Sequence, residues 1–271
     1  MNYQTYTPVP KLSKYVKCYW TLENSDATPQ ISNERIFPDG CIELVFHYGD
    51  LFKEHKTDRS SDLQPRSFIY GQLEKFIEIK ATGKIGVFGI RFLPNGLKPF
   101  VRFDINEITG KTVAIRDLWG KEGEILEDRI LNAPSIEQKI FLLEVFLIRK
   151  LRNVTDNDAV VDRCVDSILR SDGNITITDL AYQLNIGTRH LERKFVSSVG
   201  VSPKLLSRII RFNNTLNLLD HKQFSSLTMV AYEGGFYDQA HFIKDFKDFT
   251  GLNPKQYFSH NLDLVKYFNL R

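Results

Sequence analysis

Residues 179–204 read DLAYQLNIGTRHLERKFVSSVGVSPK and residues 228–255 read TMVAYEGGFYDQAHFIKDFKDFTGLNPK. The two stretches are copies of one pattern. Each holds Ala-Tyr, at Ala181-Tyr182 and Ala231-Tyr232, with a turn residue four positions after the alanine, Asn185 or Gly235. An apolar residue follows at once, Ile186 or Phe236. Each then carries Phe, four residues, Gly, two residues and Pro-Lys: Phe195, Gly200, Pro203-Lys204, and Phe246, Gly251, Pro254-Lys255.

This spacing has a steric reading. Two helices that cross steeply need a small residue where they touch, and Ala181 and Ala231 supply it. The turn between them needs a residue that tolerates a left-handed backbone, as Asn185 and Gly235 do. The next apolar residue plugs the crevice, and Thr188 and Asp238 stand where an N-cap of the second helix belongs. On that helix Leu191 and Phe195, or Phe242 and Phe246, lie four apart on one inner stripe. Phe195, Phe236, Phe242 and Phe246 are therefore core. The outer face is left to Arg189, His190, Glu192, Arg193 and Lys194 in the first copy, and to Gln239, Ala240, His241 and Lys244 in the second. A helix with Arg, Gln and Lys on its outer side can enter a major groove and read base edges. The second copy has one more residue between plug and inner aromatic, so its recognition helix should start later. Gly234-Gly235 reads as a turn and not as a phosphate loop, since no Gly-Lys-Ser/Thr accompanies it.

Between the copies runs SPKLLSRIIRFNNTLNLL, residues 202–219. Ser202 caps it and Pro203 suits its first turn. Leu206, Ile209, Ile210, Leu216 and Leu219 fit a helix packed on both units, which would hold two recognition helices about one duplex turn apart. The charge is distributed to match. Seven basic residues (Arg189, Arg193, Lys194, Lys204, Arg208, Arg211 and Lys222) lie between 187 and 222 against Glu192 and Asp220 alone. Asp156, Asp158, Asp162, Asp166, Asp172 and Asp179 form an acidic stretch before them. Lys204 and Arg208 are candidates for phosphate contact; Arg208 and Arg211 could equally neutralise the acidic first helix of this region.

These residues resemble the AraC family of transcription regulators. The resemblance runs from about 160 to 258 and rests on LAYQLNIGTRHLERKFVSSVGVSPKLL together with GGFYDQAHFIKDFKDFTGLNPKQYF. It implies a DNA-binding unit with two recognition helices. The family's base-reading positions fall on Arg189, Glu192 and Arg193, then on Gln239, Ala240 and Lys244. Glu192 and Ala240 are not the long amide donors usual there. In the front half KLSKYVKCYWTLE, RIFPDGCIELVFHYGD, GVFGIRFLPNG and DINEITGKTVAIRDLWG are similar to the sensor-like N-terminal domain of some AraC-type regulators. That resemblance names no ligand.

The front half, read from its own residues, is β followed by helix. CIELVFHYG after the turn Pro38-Asp39-Gly40, then FIYGQL, KFIEIKATG and KIGVFGIRFLP, are short apolar runs broken by turn residues, as in an antiparallel barrel or sandwich. SIEQKIFLLEVFLIRKL, residues 135–151, is a long amphipathic helix capped by Ser135. Its apolar surface, with Phe141, Leu142, Val145, Phe146 and Ile148 added to the main stripe, is too wide to bury on one side and points to a further element or a partner subunit. RNVTDNDAV follows as the interdomain linker. The expected organisation is α+β: a barrel or cupin-like sandwich with helices over 1–152, for sensing or dimerisation, and a helical AraC-type domain over 156–271.

Other chemistry is poorly supported. Glu43 and His47 share a strand face and His55 is near, but no further histidine precedes His190, so a metal site lacks a third imidazole. Tyr19, Trp20, Phe37, Phe46, Tyr48, Phe88 and Phe92 line either a ligand pocket or simply the core. Asp39 and Glu43 read as turn and strand residues, not an acid–base pair. Cys18, Cys41 and Cys164 are far apart and odd in number, read as buried thiols. With 271 residues, a net charge of +3, no secretory start and no membrane-length apolar run, the chain is expected to be cytoplasmic. The reading is a regulator that is not an enzyme and needs no metal or cofactor. Its partners would be double-stranded DNA, a small-molecule effector, RNA polymerase and a second copy through the N-terminal domain. The alternative is a small-molecule-binding or enzymatic barrel with an appended helical domain for protein contacts.

Overall fold

The computed structural model describes residues 1–24, 33–55, 60–151, 158–221 and 226–259. Its strands are β1 (Asn2–Tyr6), β2 (Val16–Glu23), β3 (Glu34–Ile36), β4 (Ile42–His47), β5 (Phe52–His55), β6 (Ser61–Leu63), β7 (Ser67–Tyr70), β8 (Ile77–Ala81), β9 (Gly86–Phe92) and β10 (Thr112–Ala114). They pair as a six-stranded sheet, β1-β2-β9-β4-β7-β10, and a four-stranded sheet, β3-β8-β5-β6. Adjacent strands are antiparallel, and no pairing joins the two sheets among the described residues. The N-terminal architecture is thus a sandwich and not a closed barrel.

Alternation explains the layers. Along β4, Ile42, Leu44 and Phe46 enter one core, while Val45 enters the other. Along β9, Phe88, Ile90 and Phe92 enter the first, Val87 the second. All seven β9 residues are buried, so this central strand reads as a continuous apolar run. The first core is closed by α1 (Ile115–Trp119), α2 (Lys121–Asn132) and α3 (Ile136–Leu151) through Trp119, Leu126, Ile130, Leu143, Phe146 and Leu147. The second lies between the sheets and draws Phe52 and Ile79 from the smaller one. Ser135 Oγ accepts from the Gln138 N–H at 3.3 Å, which starts α3 where the sequence places it. Phe141 and Val145, one turn apart on α3, stay 63% and 51% exposed.

The remaining elements are helices: α4 (Ala159–Arg170), α5 (Ile177–Gln183), α6 (Thr188–Val199), α7 (Pro203–His221), α8 (Leu227–Glu233), α9 (Gln239–Thr250) and α10 (Pro254–Ser259). The predicted linker lies mostly outside the described residues; Asp158 at its end caps α4, accepting from Val160 N–H. Lys222 is also outside them. Helix α7 serves both units. Leu206 belongs to the core of α4, α5 and α6, whereas Ile209, Phe212 and Leu216 belong to that of α8 and α9.

The two halves touch. Phe37, from the turn after β3, is buried in the α8–α9 core, with ring centroids 6.4 Å from Phe212 and 6.1 Å from Tyr257. Asn213 donates to the Pro38 carbonyl at 2.8 Å, and Arg35 to the Thr250 carbonyl at 3.0 Å. Gly40 takes φ +80°, a left-handed backbone in which any other side chain would be strained, and a β-carbon there would press on Leu206 Cδ1 at 2.8 Å. Cys41 and Cys164 are buried thiols as read; Cys18 is only half-buried.

Candidate nucleic-acid interface

The duplication seen in sequence is repeated in the hydrogen bonds of the turns and of the helix C-termini. In the first unit Asn185 N–H donates to Tyr182 O at 3.1 Å and Ile186 N–H to Ala181 O at 3.0 Å. In the second, Gly235 donates to Tyr232 O at 3.1 Å and Phe236 to Ala231 O at 2.9 Å. Asn185 has φ +50° and Gly235 φ +74°, the left-handed turn the pattern requires. Both recognition helices also end alike, with Gly200 N–H on Val196 O and Gly251 N–H on Lys247 O, each at 2.9 Å. Ala181 and Ala231 are buried, as are Leu191, Phe195, Phe236, Phe242 and Phe246.

The starts of the two helices differ. Asp238 caps α9 by accepting from His241 N–H at 2.8 Å. Helix α6 is preceded by Gly187 with no side-chain cap, and Thr188 is already its first residue, so Thr188 is not the cap it was read to be. Helix α9 begins three residues after its plug and α6 two, the later start that the extra residue predicts.

Arg189, His190, Glu192 and Arg193 are exposed on α6, and Ala240, His241 and Lys244 on α9. His190 Nδ1 lies 3.2 Å from an Arg193 guanidinium nitrogen. The other candidates differ in their surroundings. Lys194 is half-buried and pairs with Asp158 at 2.9 Å, tying α6 to the start of α4. Gln239 is half-buried and accepts from Thr228 Oγ1 at 2.8 Å. Lys204 is exposed near the start of α7. Arg208 pairs with Asp245 at 2.7 Å and Asp248 at 3.0 Å, clamping α7 to α9. The hydrogen bond to Asp245 leads in raising its pKa. Arg211 stacks over Phe236, 5.3 Å from the ring centroid, and burial lowers its pKa. Arg208 thus neutralises α9, not the acidic first helix, and Arg211 braces the second turn.

Sequence reading left three aromatic residues without a role. Tyr182, Tyr232 and Tyr237 are 88%, 84% and 91% exposed. Tyr182 and Tyr232 occupy the same place in the two units. The repeated Ala-Tyr was the available signal: the alanine explains the packing, while the tyrosine has no packing reason to recur. On the side of α6, the 3₁₀ turn Ile105–Ile108 of the N-terminal half packs close by. Thr109 Oγ1 donates to Gly200 O at 2.7 Å, and Asp104 and Asn106 line one open cleft with Arg189, Glu192 and Arg193.

In the N-terminal half, Glu43 and His47 share a strand face as alternation demands, and both line a cavity between the sheets. Glu43 accepts from Arg91 Nε at 2.5 Å and from Trp20 Nε1 at 2.8 Å. Burial raises the Glu43 pKa. Arg91, an arginine inside the apolar run GVFGIRF, was the unread signal for this buried ion pair. His47 contacts Gln64 and burial holds its pKa down at about 4. Of the aromatic pocket candidates, Trp20 and Phe37 line the cavity; Tyr19, Phe46, Phe88 and Phe92 belong to the core under the helices, with Tyr48 packed against it.

A family model described as a helix-turn-helix domain matches residues 180–260. Residues 180–260 are a helix-turn-helix domain. A model described as a domain of unknown function, DUF6597, matches residues 4–114 ahead of it. Uncharacterized HTH-type transcriptional regulators of Staphylococcus aureus strains MSSA476 and MRSA252 are 29% identical over 102 residues, 37% of this chain. The match spans 14% of those relatives' own length. ToxT from Vibrio cholerae is similar over 96% of this chain and 98% of its own, with 14% identity and a TM-score of 0.49. The AraC-like transcriptional activator CuxR is similar over 89% and 90%, with 14% identity and a TM-score of 0.30. Among the described residues, no helix is long and apolar enough to cross a membrane.

Proposed function

We propose that the chain is a sequence-specific DNA-binding transcription regulator and not an enzyme, with a sandwich domain over 1–152 and an AraC-type DNA-binding domain over 156–271. The observation that carries this is the doubled unit with matching turns, its outer helix faces left polar and exposed, joined by one continuous helix. Helix α7 has 19 residues, so at about 1.5 Å each it is roughly 28 Å long, a continuous connector that packs on both units. In this reading Arg189, Glu192 and Arg193 face bases in one major groove, and Gln239, Ala240 and Lys244 face bases in the next. Lys204, the three exposed tyrosines and the helix N-termini meet phosphates, fixing register without reading sequence. Arg208 is withdrawn from that set because Asp245 and Asp248 hold it.

The N-terminal domain would control this activity. Phe37 belongs to the cavity wall and to the α8–α9 core at once, so an occupant that differs in affinity between docked and undocked arrangements would shift their populations. Exposed Phe141 and Val145 on α3 support self-association through the same domain. Val145→Glu should then lower the sedimenting mass of the full chain; an unchanged mass would remove that part.

The test is fluorescence anisotropy of the full chain on promoter fragments across a salt series. Selective binding is expected, with affinity falling steeply and log-linearly in salt. Weak binding that is alike on every sequence would favour a helical domain made for protein contacts instead.

A further inference from the structure

Both recognition helices end on a glycine in the left-handed region, Gly200 at φ +93° and Gly251 at φ +69°. Each end is also a seat for the sandwich domain. At the end of α6, Thr109 Oγ1 donates to the Gly200 carbonyl at 2.7 Å. A β-carbon on Gly200 would stand 2.8 Å from that hydroxyl oxygen and 3.0 Å from Ile105 Cγ2. At the end of α9, Arg35 Nη1 donates to the Thr250 carbonyl at 3.0 Å, and a β-carbon on Gly251 would run into the Phe76 ring. The last carbonyls of a helix have no partner within it, and a guanidinium there also meets the negative end of the helix dipole. Glycine thus serves each unit twice, ending the helix and admitting the sandwich.

The two seats belong to different sheets. Arg35 lies on β3 and Phe76 directly before β8, in the four-stranded sheet, and the Arg35 guanidinium stacks 4.5 Å from the Phe76 ring centroid. Ile105 and Thr109 lie in the connection from β9 to β10, both strands of the six-stranded sheet. No strand pairing joins the sheets among the described residues, so side-chain packing sets their separation. Helix α7 holds the two units through their cores. A recognition helix held along its core face and again at its end cannot pivot. We infer that the sandwich is a caliper: each sheet holds one recognition helix by its terminal glycine, and the separation of the sheets sets the interval between base contacts on the duplex. Thr109, Ile105, Arg35 and Phe76 are then positioning residues, which decide the accepted spacing through the helices they hold. This rests on the DNA-binding reading above and adds spacing control to it.

The test uses duplexes that carry the site selected by the full chain, with the interval between its two halves changed by one or two base pairs each way, about 3.4 Å of rise per pair. Wild type should favour one interval by about tenfold or more over those two base pairs away, because rigidly linked sites lose joint engagement when the geometry is wrong. Thr109→Val frees the end of α6, and Arg35→Ala combined with Phe76→Ala frees the end of α9. Either change should flatten the preference to about threefold or less, and Thr109→Ser should keep it. A merely structural role would lower affinity alike at every interval. An unmoved preference or a uniform loss in the variants, or a wild type indifferent to the interval, would overturn the inference. Thr109→Val is isosteric at a half-buried site and decides alone if the double variant fails to fold. A wild type that selects no site sinks the DNA-binding reading and the caliper with it, whereas selective binding with an unmoved interval profile sinks the caliper alone.

Discussion

Lys204 and Arg208 stand one turn apart on α7 and meet different surroundings. Lys204 is exposed, whereas Arg208 bridges Asp245 and Asp248. Asp245 is itself buried, so removing Arg208 leaves a desolvated carboxylate unpaired. Arg208→Ala should cost about 2 kcal/mol of folding stability in denaturant titration, reduced from the fully buried case by partial exposure. Lys204→Ala should leave stability unchanged and lower the slope of log affinity against log salt by about 0.9 if it neutralises one phosphate. An exchange of these two outcomes would return Arg208 to the phosphate set. The sequence offered both residues as surface cations because spacing along a helix gives its own face but not what a neighbouring helix brings to it. Arg91, Asp39 and Glu43 escaped for the same reason: their meeting depends on the pairing of β4 with β9 and on a turn side chain reaching inward.

The helix-turn-helix units were legible at the scale of elements because local sterics dictates them. Alanine at the crossing, a left-handed turn residue and an apolar plug each have one physical role, and doubling the pattern excludes coincidence. Capping was less legible. Thr188 and Asp238 are both good capping types, but the extra residue in the second unit places Asp238 before its helix and the shorter turn draws Thr188 inside. Asp238→Ala should therefore lower the unfolding midpoint measurably, and Thr188→Ala should barely move it. Equal losses in thermal or denaturant unfolding would contradict the assigned caps. The front strands were read where they are central and apolar, as in β4 and β9. The edge strand β6 is exposed throughout, with no alternation to betray it.

At the scale of the molecule, sandwich and helical domain are joined through the turn after β3 and through the contact of Thr109 with Gly200. None of this could be read along the chain. Asn213 and Pro38 are 175 residues apart, and nothing in either local pattern anticipates the other. The docked 3₁₀ turn also brings Asp104 beside Arg189, Glu192 and Arg193 on the outer face of α6, so under the proposed function a duplex on that face would lie next to the sandwich domain. If α7 sets both recognition helices on one duplex in successive grooves, binding sites selected from a randomised duplex library with the wild-type chain, Arg193→Ala and Lys244→Ala will show it. Each variant should relax preference at its own base position, at a cost of roughly 1–3 kcal/mol there, with the two positions about 10 base pairs apart. Relaxation at no position, or at one shared position, would contradict it.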